Sequence, residues 1–519
     1  MPASFLRLPV SGRRVVARRS APLVSTLFAA LLLGGCASFV PEPLTAPEIS
    51  AASAADRAAM QQDVEPLTGP LSLEEAIARA IKYNLERRAR VMEEAIAAGQ
   101  LDVGKFDLLP KLVASAGYRD RNNDLITNSV DSVTGAPSLA NPYISSARSA
   151  TTTDLTFSWS LLDFGQSYYA SKQNADRLLI AGERRRKALH ILVQDVRTVF
   201  WRVACAQKLR ADIQTTLNDA ESVLIDARRA EAERLRNPLD ALRYQRQLLE
   251  NLRLLETIDQ ELSTSRVELA NLTNLPLVQN ITVVEPATAL DTRWQKIPVE
   301  AMEEQAIGNN ADLRESFYNA RIASQETRRA LLKLFPGLSF NYGVNHSDDD
   351  YLINQNWTAA GIQVSFNLMG LLSAPAQMKL ADAGVALADQ KRMATQMAVL
   401  TQVHVARLHY ANAVHQFDRA DAIWKVDSEI ASHVARREEA QTQTKLDRVS
   451  NQTAAILSQL RRYQALAQVN TAASRLQATL GLEPSIEASS DQPLEKLTAA
   501  VGQSLKAWND GQLETERQR

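Results

Sequence analysis

Residues 155–161 read LTFSWSL, and in this stretch large apolar side chains alternate with hydroxyl side chains. The large ones are Leu155, Phe157, Trp159 and Leu161, and each intervening residue is Thr or Ser. A period of two predicts a β-strand whose two faces meet different surroundings. Aromatic residues are denser here than in the whole chain, where they make up 6%. This density favours lipid on the apolar face over the alternative, a half-buried hairpin of a soluble protein.

Three further stretches, at 112–118, 338–344 and 362–368, alternate in the same way. A sheet inside hydrocarbon must close, because an open edge leaves backbone polar groups without partners. Single-chain barrels begin at about eight strands. Four strands per chain therefore predict a barrel shared between chains, and the periodicity alone permits a dimer or a trimer.

The four strands arise from a duplication. At the start of the duplicated unit, residue n of the first copy aligns with residue n + 226 of the second, so that Asn84 aligns with Asn310. From residue 158 onward the offset is 207, and Leu239-Asp240 falls on Leu446-Asp447 without a gap. The difference of 19 residues predicts a longer loop between the two strands of the first copy. We assign the first repeat to 71–275, an inter-repeat linker to 276–298 and the second repeat to 299–482.

Helices are expected to fill the rest of each repeat. Gly and Pro number only 19 each among 519 residues, well below their usual combined share of about 12%. One helix precedes the strands, and a long helix with a shorter return helix follows them. A helix of some 70 residues is about 100 Å long and must lie against equally long neighbours. Leucines at every seventh position of the first return helix predict a coiled-coil seam: Leu248, Leu255, Leu262 and Leu269. The predicted helices are Leu73–Leu108, Gly165–Arg236, Leu239–Leu272, Val299–Leu334, Pro375–Gln441 and Leu446–Leu480.

The N-terminus has the pattern of an export signal. Five arginines and no acid precede an apolar run at 21–33, and Gly34-Gly35-Cys36 follows. A thiol at this place predicts a lipoprotein signal peptide over 1–35 with lipidation at Cys36; an ordinary signal peptide or an N-terminal anchor is the alternative. Residues 36–70 contain five prolines and are expected to form an extended, lipid-anchored linker. Residues 483–519 form a polar C-terminal tail with one short amphipathic helix around Leu494–Trp508.

Composition excludes several functions. Lys and Arg number 58 and Asp and Glu 59, a balance that argues against nucleic-acid binding. The two cysteines cannot build a disulfide framework or a Cys-rich metal site. The sequence contains no phosphate loop, nucleophile elbow or metalloprotease helix motif, so we expect no enzyme activity, no cofactor and no metal. A lipid-anchored structural coiled coil without channel activity is the main alternative, but it requires no alternating strands.

The order of these features resembles the TolC-like outer-membrane efflux protein family, the outer-membrane factors, in their lipoprotein form. The resemblance covers about 71–482 and rests on the duplicated helix–strand–strand–long-helix unit and the Leu-Asp pair that opens each return helix. It implies a mainly α-helical fold with a membrane β-barrel. Three chains contribute four strands each to a 12-stranded outer-membrane barrel and build a long periplasmic α-helical barrel. It also implies a passive duct for tripartite efflux or type I secretion, loaded by a periplasmic adaptor and an inner-membrane pump of RND or ABC type.

The resemblance also points to a gate. By position, Asp240 and Asp447 match the acid that lines the closed pore in the family, and three chains bring six such carboxylates together. Like charges repel at close range, and a ring of them favours cations. The alternative is that each Asp caps the helix that begins beside it. Arg234, Arg236 and Arg448 are the candidate partners of these acids.

The gate region departs from the family at several positions. The glycine expected six residues before each Asp is Arg234 in the first repeat and Gln441 in the second. Some family members hold the gate with a Tyr and an Arg, and the matching positions here are Glu438 and Gln443. A gate held by those partners is therefore not expected in this chain.

Overall fold

The computed structural model describes residues 42–128, 130–137, 143–233, 238–284, 293–482 and 492–509. They belong to two compact units, Met1–Gln62 and Asp63–Arg519. In the first unit, helix α1 (Ala46–Gln61) begins at a capping box formed by Thr45 and Glu48. The extended tether predicted for 36–70 is therefore wrong for Ala46–Gln61, because an alanine-rich stretch behind a good cap forms a helix.

The second unit alternates helices and strands in the predicted order. Its helices are α2 (Leu73–Tyr83), α3 (Leu85–Phe106), α4 (Leu161–Ala232), α5 (Pro238–Thr273), α6 (Val299–Asn309), α7 (Ala311–Leu332), α8 (Leu368–Glu439), α9 (Lys445–Thr479) and α10 (Leu494–Asn509). Its strands are β1 (Lys111–Asp120), β2 (Ile126–Thr127), β3 (Tyr143–Ile144), β4 (Ser149–Ser160), β5 (Gly337–Ser347) and β6 (Asn356–Ser365).

The four predicted strands form one antiparallel sheet in the order β1-β4-β5-β6, which confirms the prediction. The register places Phe157 opposite Leu112 on one side and opposite Tyr342 on the other. Directly opposed residues share a face of the sheet, so large apolar side chains predominate on one face and polar or small ones on the other. The sheet stays open in one chain, because β1 and β6 are its edges. A purely coiled-coil protein, the alternative considered above, has no such sheet.

The two long helices, α4 and α8, contain 72 residues each, which corresponds to roughly 110 Å. Helix α4 packs against α5, and α9 packs against both α8 and α4. Leu248, Leu255 and Leu269 of the predicted seam are fully buried. Helix α8 begins seven residues before the predicted start at Pro375, because Asn367 caps it through the amide of Gly370.

Each helix predicted before the strands is in fact two helices. The break falls at Asn84 in the first repeat and at Asn310 in the second, where the backbone turns to an extended conformation. Each Asn side chain then accepts a hydrogen bond from the third amide of the following helix. A side-chain cap of this kind competes with continuation of the helix, and at both positions one helix ends and a new one begins.

The broadest apolar core lies where the short helices α2, α6 and α10 surround the long ones. Helix α10 packs against α2, and its Leu497, Val501 and Trp508 are buried. The amphipathic segment of the C-terminal tail is therefore part of this core. Among the described residues, no helix combines the length and the apolarity needed to cross a membrane.

Candidate functional site

In the turn between α8 and α9, Thr444 is the N-cap of α9 and Asp447 is its partner in a capping box. Thr444 Oγ1 donates to Asp447 Oδ2 at 2.7 Å, and the amide of Asp447 donates to Thr444 Oγ1 at 3.1 Å. The amide of Thr444 also donates to Asp447 Oδ2 at 3.2 Å. This is a reciprocal capping box, so the capping role considered for Asp447 is present in the structure.

Asp240 lies in the first turn of α5, and its side chain is 66% exposed. Arg243 lies on the same helix, with 3.7 Å between Arg243 Nη1 and Asp240 Oδ1. Two of the partners predicted for this acid, Arg234 and Arg236, lie outside the described residues. In a single chain Asp240 and Asp447 belong to different turns, and no contact joins them among the described side chains.

The third predicted partner, Arg448, binds other acids. Its Nη1 lies 2.9 Å from Asp219 Oδ2 of α4, and its Nε lies 3.6 Å from Glu438 Oε2 of α8. One turn away, Lys445 Nζ lies 3.6 Å from Asp226 Oδ2 of α4. We call Arg448–Asp219 and Lys445–Asp226 the inter-repeat ion pairs, because each joins the second repeat's return helix to the first repeat's long helix.

Sequence reasoning missed Asp219, Asp226 and Lys445, although a signal was present. The two acids are one heptad apart on α4, and the two bases are three apart on α9, so each pair shares one helix face. An apolar cleft of about 340 Å³ lies between α4, α5 and the start of α9, lined by Val223, Ala227, Ala241 and Tyr244 among others. Ion pairs and apolar packing therefore hold the two repeats together near the turns.

The opposite end of the chain carries the loops between paired strands. Asp349 lies in the loop between β5 and β6. It accepts hydrogen bonds from the amides of Ala147 and Tyr351, at 2.9 Å and 3.1 Å, which lower the pKa of its carboxyl group. Arg119 Nη2 lies 3.5 Å from Asp349 Oδ2. The carboxylate thus fastens the second repeat's loop to the first repeat's longer loop. No cluster of three or more potential metal-ligating side chains occurs among the described residues.

In the single chain, no described element covers the apolar face of the sheet. Ile362 and Val364 are 71% and 68% exposed. Near the helical end of the sheet, Trp159 stacks on Phe340 with 6.2 Å between ring centroids and meets Phe164 edge-on at 5.9 Å. An exposed apolar band with aromatic side chains at one boundary has the pattern of a lipid-facing sheet.

Comparison of this architecture with known proteins gives agreement in fold. No protein-family model matches the chain, and no curated protein matches its sequence. A membrane protein from Pseudomonas aeruginosa superposes with a TM-score of 0.62 at 15% identity, covering 79% of this chain and 90% of that one. The Campylobacter jejuni CmeC outer membrane channel superposes with a TM-score of 0.61 at 12% identity, covering 82% of this chain and 89% of that one.

A third solved structure is similar in the same way. The open state of the Neisseria gonorrhoeae MtrE outer membrane channel gives a TM-score of 0.56 at 16% identity, covering 79% of this chain and 89% of that one. The chain therefore has the TolC-like fold, mainly helical with few strands per chain, as the sequence resemblance implies.

Proposed function

We propose that three copies of this chain form an outer-membrane duct that carries solutes from the periplasm to the exterior. The observation that carries the proposal is the open four-stranded sheet with one exposed apolar face, attached at one end to helices of roughly 110 Å. In hydrocarbon the sheet must close, and one chain cannot close it.

The strand directions support closure between copies. Because all pairs are antiparallel in the order β1-β4-β5-β6, the edges β1 and β6 run in opposite directions. The β6 edge of one copy can therefore pair with the β1 edge of the next, and the barrel stays antiparallel throughout. Three copies give 12 strands, an even number above the minimum of about eight.

The helices suit a periplasmic tube. All four strands connect to helices at the same end of the sheet: α3 leads into β1, β4 into α4, α7 into β5 and β6 into α8. The tube works passively in this proposal, because the energy comes from an inner-membrane pump of RND or ABC type coupled through a periplasmic adaptor. Tripartite efflux and type I secretion both use such an arrangement.

The inter-repeat ion pairs give the duct a means of staying closed. They hold α9 against α4 near the turns, where Asp240 and Asp447 are proposed to surround the opening of the trimer. In this proposal Arg448 and Lys445 take the part that a Tyr and an Arg have in some members of the family that the chain resembles. When α9 separates from α4, both ion pairs break and their charged groups become hydrated. This costs about 0.2–1 kcal/mol for each partly exposed pair.

Residues 1–35 are proposed as a lipoprotein signal peptide and Cys36 as the lipidated N-terminus of the mature chain; both lie outside the described residues. Fatty-acid labelling that disappears in Cys36→Ser supports lipidation, and unchanged labelling refutes it. Insertion of this variant is still expected, since the barrel holds the membrane by itself.

The duct is tested by mass and by conductance. The purified protein in detergent is expected to have three times the mass of one mature chain, and a stable monomer contradicts the proposal. Reconstituted in planar bilayers, it is expected to pass little current until the ion pairs are broken. A trimer that conducts under no condition supports the structural alternative instead.

A further inference from the structure

The polar face of the sheet contains one row that differs from the others. The register sets Ser115 opposite Asp154, Asp154 opposite Asn345 and Asn345 opposite Trp357. Because directly opposed residues share a face, these four side chains form a line across all four strands. Among the described residues of β1, β4, β5 and β6, Trp357 is the single aromatic residue on the polar face, and it is 43% exposed.

Two hydroxyl groups hold the carboxylate of Asp154 in place. Ser115 Oγ and Thr156 Oγ1 donate to Asp154 Oδ2 at 3.2 Å and 3.3 Å. No basic side chain lies within ion-pair distance of Asp154 in the part of the chain that the structure describes. Arg119, further along the same face of β1, pairs with Asp349, and Arg148, in the loop before β4, pairs with Asp124.

Space lies beside the row on the side of the helices. The next row on the same face includes Thr156, Gly343 and Ala359, none of which has a large side chain. Gly361, one row further, has no atom within 4 Å of the position that a Cβ occupies. The indole ring of Trp357 and the carboxylate of Asp154 thus border a surface of small side chains. They lie two strands apart, roughly 10 Å at the usual strand spacing.

We propose that Trp357, Asn345 and Asp154 form a binding site for small organic cations of the quaternary ammonium class. The face of an indole attracts such cations through its quadrupole, and Trp is the best residue for this interaction. The carboxylate supplies the opposite charge, and the surface of small side chains accepts alkyl groups. This inference rests on the proposed function in one respect: in the duct the polar face lines the water-filled lumen, so three such sites lie at one level of the exit path.

Binding is tested on the purified full-length protein in neutral detergent, so that the result does not depend on a conducting pore. The probe is tetramethylammonium, followed by saturation-transfer NMR, and tert-butanol is the uncharged probe of similar shape. Trp357→Leu is expected to weaken binding of tetramethylammonium about two- to five-fold, the usual range for an exposed cation–π contact. Asp154→Asn is expected to weaken it about five-fold at low salt, and less at high salt.

Two variants serve as matched controls. Tyr118→Leu removes an aromatic side chain from the opposite face of the sheet, and Asp120→Asn removes an acid from that face. Both are expected to bind tetramethylammonium as the unmodified protein does. The site is refuted if the unmodified protein does not prefer tetramethylammonium to tert-butanol, or if Trp357→Leu and Asp154→Asn bind as the controls do. Binding with the expected losses, in a protein that never conducts, supports the site and refutes the duct.

Discussion

Asn310 donates a hydrogen bond from Nδ2 to the main-chain carbonyl of Thr479 at 3.0 Å. Its Oδ1 accepts from the amide of Leu313 at 3.1 Å and so caps α7. One side chain therefore breaks a helix and ties the break to the end of its own repeat's return helix. Asn84 does the same in the first repeat, where it caps α3 and donates to the carbonyl of Leu272 at 3.2 Å.

Removal of this amide is expected to destabilise the chain. Asn310→Ala loses a helix cap, worth about 1 kcal/mol, together with a buried hydrogen bond of similar size. Thermal unfolding followed by circular dichroism is expected to show a lower midpoint for Asn310→Ala. Asn319→Ala, at an exposed position within α7, is the control and is expected to change the midpoint little. Equal midpoints for the two variants contradict the capping role.

A second prediction concerns the turn between α8 and α9. Gln441 has φ of 59°, in the left-handed region that glycine adopts without strain. By the resemblance described above, it occupies the position at which efflux proteins of the TolC-like family often have glycine. Gln441→Gly is therefore expected to stabilise the protein by about 1 kcal/mol, measured as a higher unfolding midpoint. Gln443→Gly, two residues on at a position without positive φ, is expected to give no gain, because there glycine only adds freedom to the unfolded chain.

The strands and long helices could be predicted because they depend on local periodicity. The alternation around Phe157 and the long stretches with few Gly and Pro require no knowledge of neighbouring elements. The breaks at Asn84 and Asn310 could not be found in this way, because each cap is reinforced by a carbonyl far away in sequence. The match of the two asparagines across the duplication was the available signal.

The candidate gate was predicted less completely for a similar reason. Asp240 and Asp447 are marked by position in the repeat, and Asp447 is also the capping residue that its spacing from Thr444 permits. The partner of Arg448 depends on which face of α9 meets α4, and this is set by the packing of four helices. The heptad spacing of Asp219 and Asp226 marks one face of α4, but only the folded chain shows that this face meets Arg448.

A third prediction tests the lipid face. Phe157→Lys places a charge on the apolar face of β4, and we expect it to impair membrane insertion at a cost of about 2–4 kcal/mol near the midplane. Ser158→Lys, the adjacent position on the polar face, is the matched control and is expected to insert normally. The amount of each variant in the outer-membrane fraction of cells measures its insertion. Equal insertion of the two variants means that the apolar face does not meet lipid.

A fourth prediction concerns the inter-repeat ion pairs. Arg448→Glu sets a carboxylate opposite Asp219 and beside Glu438, so attraction becomes repulsion. We expect higher conductance in planar bilayers. Combining Arg448→Glu with Asp219→Arg restores opposite charges, and the double variant is expected to return toward the unmodified conductance. Arg461→Glu, an exposed charge reversal on the same helix, is the control and is expected to leave conductance unchanged. Failure of the double variant to recover argues against a direct pair.

The last prediction separates the two roles of the turn aspartates. Asp447 closes a capping box with Thr444, so Asp447→Ala removes a cap and a charge together, whereas Asp447→Asn keeps a side-chain acceptor and removes only the charge. Asp240→Asn likewise removes only the charge, in the exposed first turn of α5. If six carboxylates surround the opening, the variant with both Asn substitutions is expected to lose its preference for cations. Reversal potentials measured across a salt gradient report this preference. Unchanged selectivity in the double Asn variant, with a lower unfolding midpoint only in Asp447→Ala, leaves capping as the sole role and moves the constriction elsewhere along the tube.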